Sequence, residues 1–133
     1  MRPQTQKTQI KGLGIDIVEI ARISRMADKY GRQFLQKIYT AAEIDFCLAK
    51  ALPGVHFAGR WAVKEAFYKA LPQNIQPFSS WKSIQVLSGE RGKPYVDVCE
   101  RKLQNALYEA CISSIHMSIS HERSHCAAVV MLE

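Results

Sequence analysis

The stretch Leu71-Pro72-Gln73-Asn74-Ile75-Gln76-Pro77-Phe78-Ser79-Ser80 holds two prolines and is the sharpest break in the chain. Proline fixes φ and removes an N–H donor, so neither a helix nor a strand ladder runs through such a segment. It predicts a loop between a helical first half and a strand-rich second half. In the first half, the apolar, β-branched run at about residues 12–18 predicts a strand. Ile20, Ile23 and Ala27 recur at helical spacing, Gly31 is expected to break or bend that helix, and Phe34, Leu35 and Ile38 form a second piece. Thr40-Ala41-Ala42-Glu43 has the form of a capping box and predicts a helix from Thr40 to about Ala51. A further helix from about Val55 to Leu71 stops before Pro72.

Beyond the break, strands are predicted at about 82–88 and 94–98, joined through the glycine-bearing turn Ser88-Gly89-Glu90-Arg91-Gly92-Lys93. A helix over about 99–111 groups Leu103, Ala106, Leu107 and Ala110 on one face. Strands over 114–120 and 125–132 follow, with a turn at Glu122-Arg123-Ser124. Helices and antiparallel hairpins in one small chain imply an α+β fold, an antiparallel sheet packed with helices. The 133 residues, 47% hydrophobic, suffice for one domain spanning 12–133. Residues 1–11 read as a flexible tail without the apolar stretch of a secretory signal. No segment approaches the roughly 20 apolar residues that cross a bilayer, so no membrane span is expected. Cys47, Cys99, Cys111 and Cys126 lie far apart without a C-x-x-C pair, which suggests neither a zinc ribbon nor a disulfide framework but a reduced, cytoplasmic setting. The net charge of +6 favours an anionic partner: a nucleotide, a nucleic acid, a membrane surface or an acidic protein.

Asp16 sits between Ile15 and Ile17 in the strand pattern. An Asp close to a helix start often caps it, but an unpaired carboxylate inside a strand is costly to bury, so this position demands a cation or a metal. In the helix that follows Val55, Val63, Ala66, Phe67 and Ala70 share one side, while Glu65 and Lys69 fall opposite with Trp61 and Tyr68. Spaced by four, Glu65 and Lys69 suit a surface ion pair worth roughly 0.3–0.5 kcal/mol. The two aromatics would make their side a partly apolar cleft wall. If folding joins Asp16 to Glu65, two carboxylates meet several cations, as needed to hold a divalent metal against a phosphorylated substrate. His116, Ser118, Ser120 and His121 cluster near a strand end, where they can donate to a phosphate or ribose or simply lead into the turn. Arg22, Arg25, Lys29 and Arg32 form a basic stripe, most simply a solvated helix face. Neither a P-loop nor a Gly-x-Gly-x-x-Gly turn is present.

Taken in order, Gly14-Ile15-Asp16-Ile17-Val18-Glu19-Ile20 with Arg22-Ile23, Phe57-Ala58-Gly59-Arg60-Trp61-Ala62-Val63-Lys64-Glu65-Ala66-Phe67 with Lys69-Ala70, Gly92-Lys93-Pro94-Tyr95 and Met117-Ser118-Ile119-Ser120-His121 resemble the holo-acyl-carrier-protein synthases, the short type of 4'-phosphopantetheinyl transferase. The similarity spans about residues 12–132. It implies a 4'-phosphopantetheinyl transferase-like fold and transfer of the phosphopantetheine arm of coenzyme A to a serine of apo acyl carrier protein, in fatty acid biosynthesis. By position it implies Asp16 and Glu65 as Mg²⁺ ligands, and Arg60, Lys64, Lys69, Pro94 and His121 as coenzyme A contacts. Lys69 would act on the departing phosphate, and Glu65 or a metal-bound water would be the base. The resemblance further implies a homotrimer with coenzyme A between subunits, and reads Arg22, Arg25 and Lys29 as a docking surface for the acidic helix of the carrier. No nucleic acid or membrane partner is expected. Where such synthases commonly have a glycine-containing loop after the helix, this chain has the proline stretch, which offers fewer N–H donors to a phosphate. The rival reading is a non-catalytic basic α+β module that binds an acidic protein or nucleic acid, distinguished by salt-dependent polyanion binding without any need for Mg²⁺.

Overall fold

The computed structural model describes residues 8–75 and 80–133. Strand β1 spans Gly12–Glu19 and leads directly into helix α1, Ile20–Ile38. Gly31 bends α1 with φ 60° and ψ −142°, as its position in the sequence predicts. Helix α2, Ala41–Leu48, starts on the capping box: the Thr40 hydroxyl accepts from Glu43 N, and the Glu43 carboxylate accepts from Thr40 N. It ends three residues before the predicted limit, because the chain must turn at 49–52 to begin helix α3, Pro53–Ala70, whose first position is a proline.

Strand β2, Ile84–Ser88, starts later than predicted, since Trp81–Ser83 form a 3₁₀ turn whose N-cap, the Ser80 hydroxyl, accepts from Lys82 N at 3.1 Å. It pairs antiparallel with β3, Pro94–Val98, as a separate ribbon. Helix α4, Arg101–Glu109, turns Leu103 and Leu107 inward. Strands β4, Ile115–His121, and β5, His125–Leu132, complete an antiparallel sheet in the order β1-β5-β4. Lys11 N donates to Leu132 O at 2.7 Å, which extends the β1–β5 ladder beyond Gly12. Residues 1–7 of that tail and 76–79 of the proline loop lie outside the described residues. No helix among the described residues is long and apolar enough to cross a membrane.

The core lies where α3 crosses the three-stranded sheet. Phe57, Ala58, Ala62, Val63, Ala66, Phe67 and Ala70 of α3 are buried, along with Val18 of β1 and Cys126, Ala128, Val130 and Leu132 of β5. The approach of strand to helix is set by two glycines on the inward face of β1. A Cβ added at Gly12 would stand 1.8 Å from the Ala70 carbonyl oxygen, and one at Gly14 would stand 1.9 Å from that of Ala66. Alternation puts Asp16 on the same face as these glycines, two residues further along. The opposite face of the sheet is uncovered: Leu13, Ile15 and Ile17 are 65%, 66% and 69% exposed and pair with Met131, Val129 and Ala127.

Candidate active site

Close packing of β1 on α3 brings Asp16 to Lys69 across about fifty residues of chain, and near enough to Glu65 for its charge to act on that carboxyl. Lys69 Nζ lies 3.1 Å from Asp16 Oδ1 and donates to the Ile15 carbonyl at 3.1 Å. The partner of Lys69 is therefore Asp16; the helical Glu65–Lys69 pair that the spacing of four suggests does not form among the described residues. Glu65 is half-buried on α3. Burial, then the neighbouring Asp16 charge, push its carboxyl above the ordinary value, against the opposing pull of Lys69 and Arg22. Glu65 has no ion-pair partner among the described residues, and a divalent cation would relieve the repulsion between its charge and that of Asp16.

Among the described residues no three His, Cys, Asp or Glu side chains form a metal cage. Two carboxylates nevertheless fit Mg²⁺, which usually keeps several waters and draws its remaining oxygens from substrate phosphates.

The wall beside Glu65 is aromatic, as the helical spacing suggests. Trp61 packs on Phe34 at 6.2 Å and stacks on Trp81 at 6.4 Å with 23° between ring planes, while Tyr68 meets Trp81 at 6.0 Å. The Arg22 guanidinium lies 5.8 Å over the Trp61 ring. Trp81 belongs to a different element, and nothing in its local sequence pointed to this wall.

A second, cationic patch lies nearer the start of α3. The Arg60 side chain is only 4% exposed, stands 4.1 Å over Phe46, and has an Nε without a hydrogen-bond partner. Lys50 caps the same ring at 4.6 Å and His56 meets its edge at 5.8 Å. Burial lowers the His56 pKa, helped by the charges of Arg60, Lys50 and His121. His121 ends β4, exposed, and with Ile17, Ser120, Glu122 and His125 lines an open cleft of about 160 Å³. His56 and Lys50 were missed in the sequence because neither sits in a motif; only the fold groups them around Phe46.

Lys64 corrects an expectation. It is 1% exposed and spends its three donors inside the protein: 2.8 Å from Glu43 Oε1, 2.9 Å from Trp81 O and 2.7 Å from Ile84 O. Burial pulls its pKa down and Glu43 opposes that. Glu43 in turn accepts from Thr40 N and Val86 N, each at 3.0 Å. A cation so enclosed is not presented to a bound nucleotide; its α3 position sends it inward while Glu65, next in sequence, turns outward. Pro94 opens β3 opposite Ser88, on the ribbon rather than on the sheet that carries Asp16 and His121. Arg22, Arg25 and Lys29 are all exposed on the first piece of α1, with Arg25 3.4 Å from Glu19 and Lys29 over Tyr30.

The chain is similar to known proteins along most of its length. The profile of the 4'-phosphopantetheinyl transferase superfamily matches residues 12–130. The holo-[acyl-carrier-protein] synthase of Halothermothrix orenii is 44% identical over 93% of this chain and 98% of the relative. The crystal structure of the holo-[acyl-carrier-protein] synthase from Neisseria meningitidis superposes with a TM-score of 0.81 at 31% identity, covering 94% of this chain and 99% of that one. A synthase from Bacillus anthracis in complex with CoA (3',5'-ADP) superposes with a TM-score of 0.74 at 32% identity, covering 94% and 97%.

Proposed function

The chain belongs to the 4'-phosphopantetheinyl transferase superfamily, and from that premise we propose that it moves the 4'-phosphopantetheine group of coenzyme A onto a serine of apo acyl carrier protein. The products are holo acyl carrier protein, for fatty acid biosynthesis, and adenosine 3',5'-bisphosphate. The observation that carries this reading is the meeting of Asp16, Glu65 and Lys69 where β1 crosses α3.

Asp16 and Glu65 would hold Mg²⁺, which when bound neutralises pyrophosphate charge and favours the transition state. Lys69, half exposed and already aligned by Asp16 and the Ile15 carbonyl, can neutralise or protonate the departing phosphate. Glu65, with its raised pKa, is suited to take the proton of the attacking serine hydroxyl, or to accept it through a water. Arg60, whose Nε lacks a partner, and His121 at the open cleft would receive anionic groups of coenzyme A. His56 and Lys50 join them, and Lys64 does not. Pro94 would border the nucleotide from β3.

The assembly consistent with the uncovered sheet face is a homotrimer, its subunits meeting through Leu13, Ile15, Ile17, Val129 and Met131. The His121 cleft includes Ile17, so a neighbouring subunit packed on that face would deepen it into a site between subunits.

The deciding experiment mixes the protein with apo acyl carrier protein, coenzyme A and Mg²⁺ and reads the carrier by mass spectrometry. The carrier gains the phosphopantetheine mass, and Asp16→Ala or Glu65→Ala abolishes the gain while circular dichroism stays native. Modification that persists in both variants, or that needs no divalent ion, overturns the assignment of these two carboxylates.

A further inference from the structure

The buried Glu43–Lys64 pair has no part in the chemistry just described, yet Lys64 directly precedes Glu65. Its ammonium reaches inward and holds Trp81 O and Ile84 O, the carbonyls of the first residue of the 3₁₀ turn Trp81–Ser83 and of the residue that follows it. The other end of the pair is fixed as well, since Glu43 accepts from Thr40 N at the start of α2 and from Val86 N in β2. Every charged atom of the pair has a partner, and the partners belong to three separate elements. The turn held in this way carries the Trp81 ring, which stacks on Trp61 and packs on Tyr68. Trp61 and Tyr68 share the side of α3 that presents Glu65.

We propose that the Glu43–Lys64 ion pair is a positioning device for the site: by fixing the Trp81 backbone from the buried side of α3, it sets the Trp61–Trp81–Tyr68 wall that flanks Glu65. Such a wall excludes water from one side of the reacting groups and limits the approach of the incoming serine, so its displacement lowers the rate of the chemical step. The inference rests on the reading of Glu65 given above. Lys64 acts through Trp81 and touches no substrate.

The chain contains two tryptophans, and both belong to this stack, so the indole exciton couplet in circular dichroism reports the wall directly. Lys64→Met leaves Glu43 charged, buried and unpaired, and that variant is at risk of failing to fold. The Glu43→Leu/Lys64→Met double variant removes both charges together and keeps the question open to test. It is expected to retain native helix content, lose most of the couplet, and turn over about tenfold more slowly or worse at saturating substrates, with KM for coenzyme A within about threefold. Trp81→Leu keeps the backbone bonds to Lys64 and removes the ring; it is expected to show the same loss of kcat. A folded double variant with the native couplet, or a Trp81→Leu variant at the native rate, overturns the proposal. Because the couplet is read without substrates, it tests positioning even when no carrier is modified, and failure of the unaltered protein to modify any carrier counts against the proposed function instead.

Discussion

At the scale of single residues, neighbouring positions on α3 have opposite fates. Lys64 is enclosed among Glu43 and two carbonyls, whereas Glu65 is half-buried on the outward side of α3 with its carboxyl pushed up by burial and by Asp16. The sign of the second effect gives a prediction. A carboxyl whose native pKa lies above its ordinary value of 4.5 releases its proton first in the unfolded chain, so stability falls as pH rises through that window, and ionised Glu65 costs stability at neutral pH. In metal-free buffer at pH 7, Glu65→Gln is therefore expected to raise Tm, with the gain shrinking as pH falls below 4.5, where both states are protonated. Added Mg²⁺ is expected to raise the Tm of the unaltered protein and leave that of the variant in place. A lower Tm for Glu65→Gln in thermal melts contradicts the strained carboxylate described here.

Between elements, the decisive contact is the crossing of β1 on α3. Two glycines let the strand backbone touch the helix carbonyls, and the period of two along β1 puts Asp16 on the same face, within reach of the Lys69 side chain. Gly14→Ala puts a methyl group into the Ala66 carbonyl, where the obstacle is backbone and cannot swing aside. The substitution is expected to lower unfolding free energy by about 1–3 kcal/mol, measured by denaturant melts. It should also separate Asp16 from Glu65 and cut transfer activity several-fold in protein that is still folded. Stability and activity both unchanged would show that strand and helix part without consequence. The bend at Gly31 acts at the same scale: it separates Arg32 from the exposed Arg22, Arg25 and Lys29 of the first helical piece.

For the whole molecule, the uncovered β1–β5 face and the basic stripe point outward in different roles. An apolar face with three residues about two-thirds exposed suits contact with further copies. Light scattering is expected to give a mass about three times 15.1 kDa, and Ile17→Asp should reduce it to that of a folded monomer with impaired transfer. A trimeric Ile17→Asp variant would remove this face from the assembly. The stripe belongs to encounter with an acidic carrier, since exposed charges act mainly on approach. Reversing Arg22 and Arg25 to Glu is expected to raise KM for the carrier several-fold and flatten the salt dependence of the rate, with KM for coenzyme A unchanged. An unaltered carrier KM in steady-state kinetics would assign the stripe to solvent.

By itself the sequence determined the elements and their order, because strand alternation, helical periodicity, the Thr40–Glu43 capping box and the bend at Gly31 all act over a few residues and are written locally. It also marked Asp16 as a carboxylate in need of a partner, since a charge within an apolar strand is costly wherever the strand goes. Tertiary structure alone decided which partner that is, turning Lys69 from Glu65 to Asp16, and it alone sent Lys64 into a buried bond with Glu43 rather than to the cleft. It likewise gathered Lys50, His56 and Arg60 around Phe46 and brought Trp81 onto Trp61. The reason is that the direction of a side chain follows from local periodicity, whereas its partner depends on how closely two distant backbones can pack, and here two glycines on one strand set that distance.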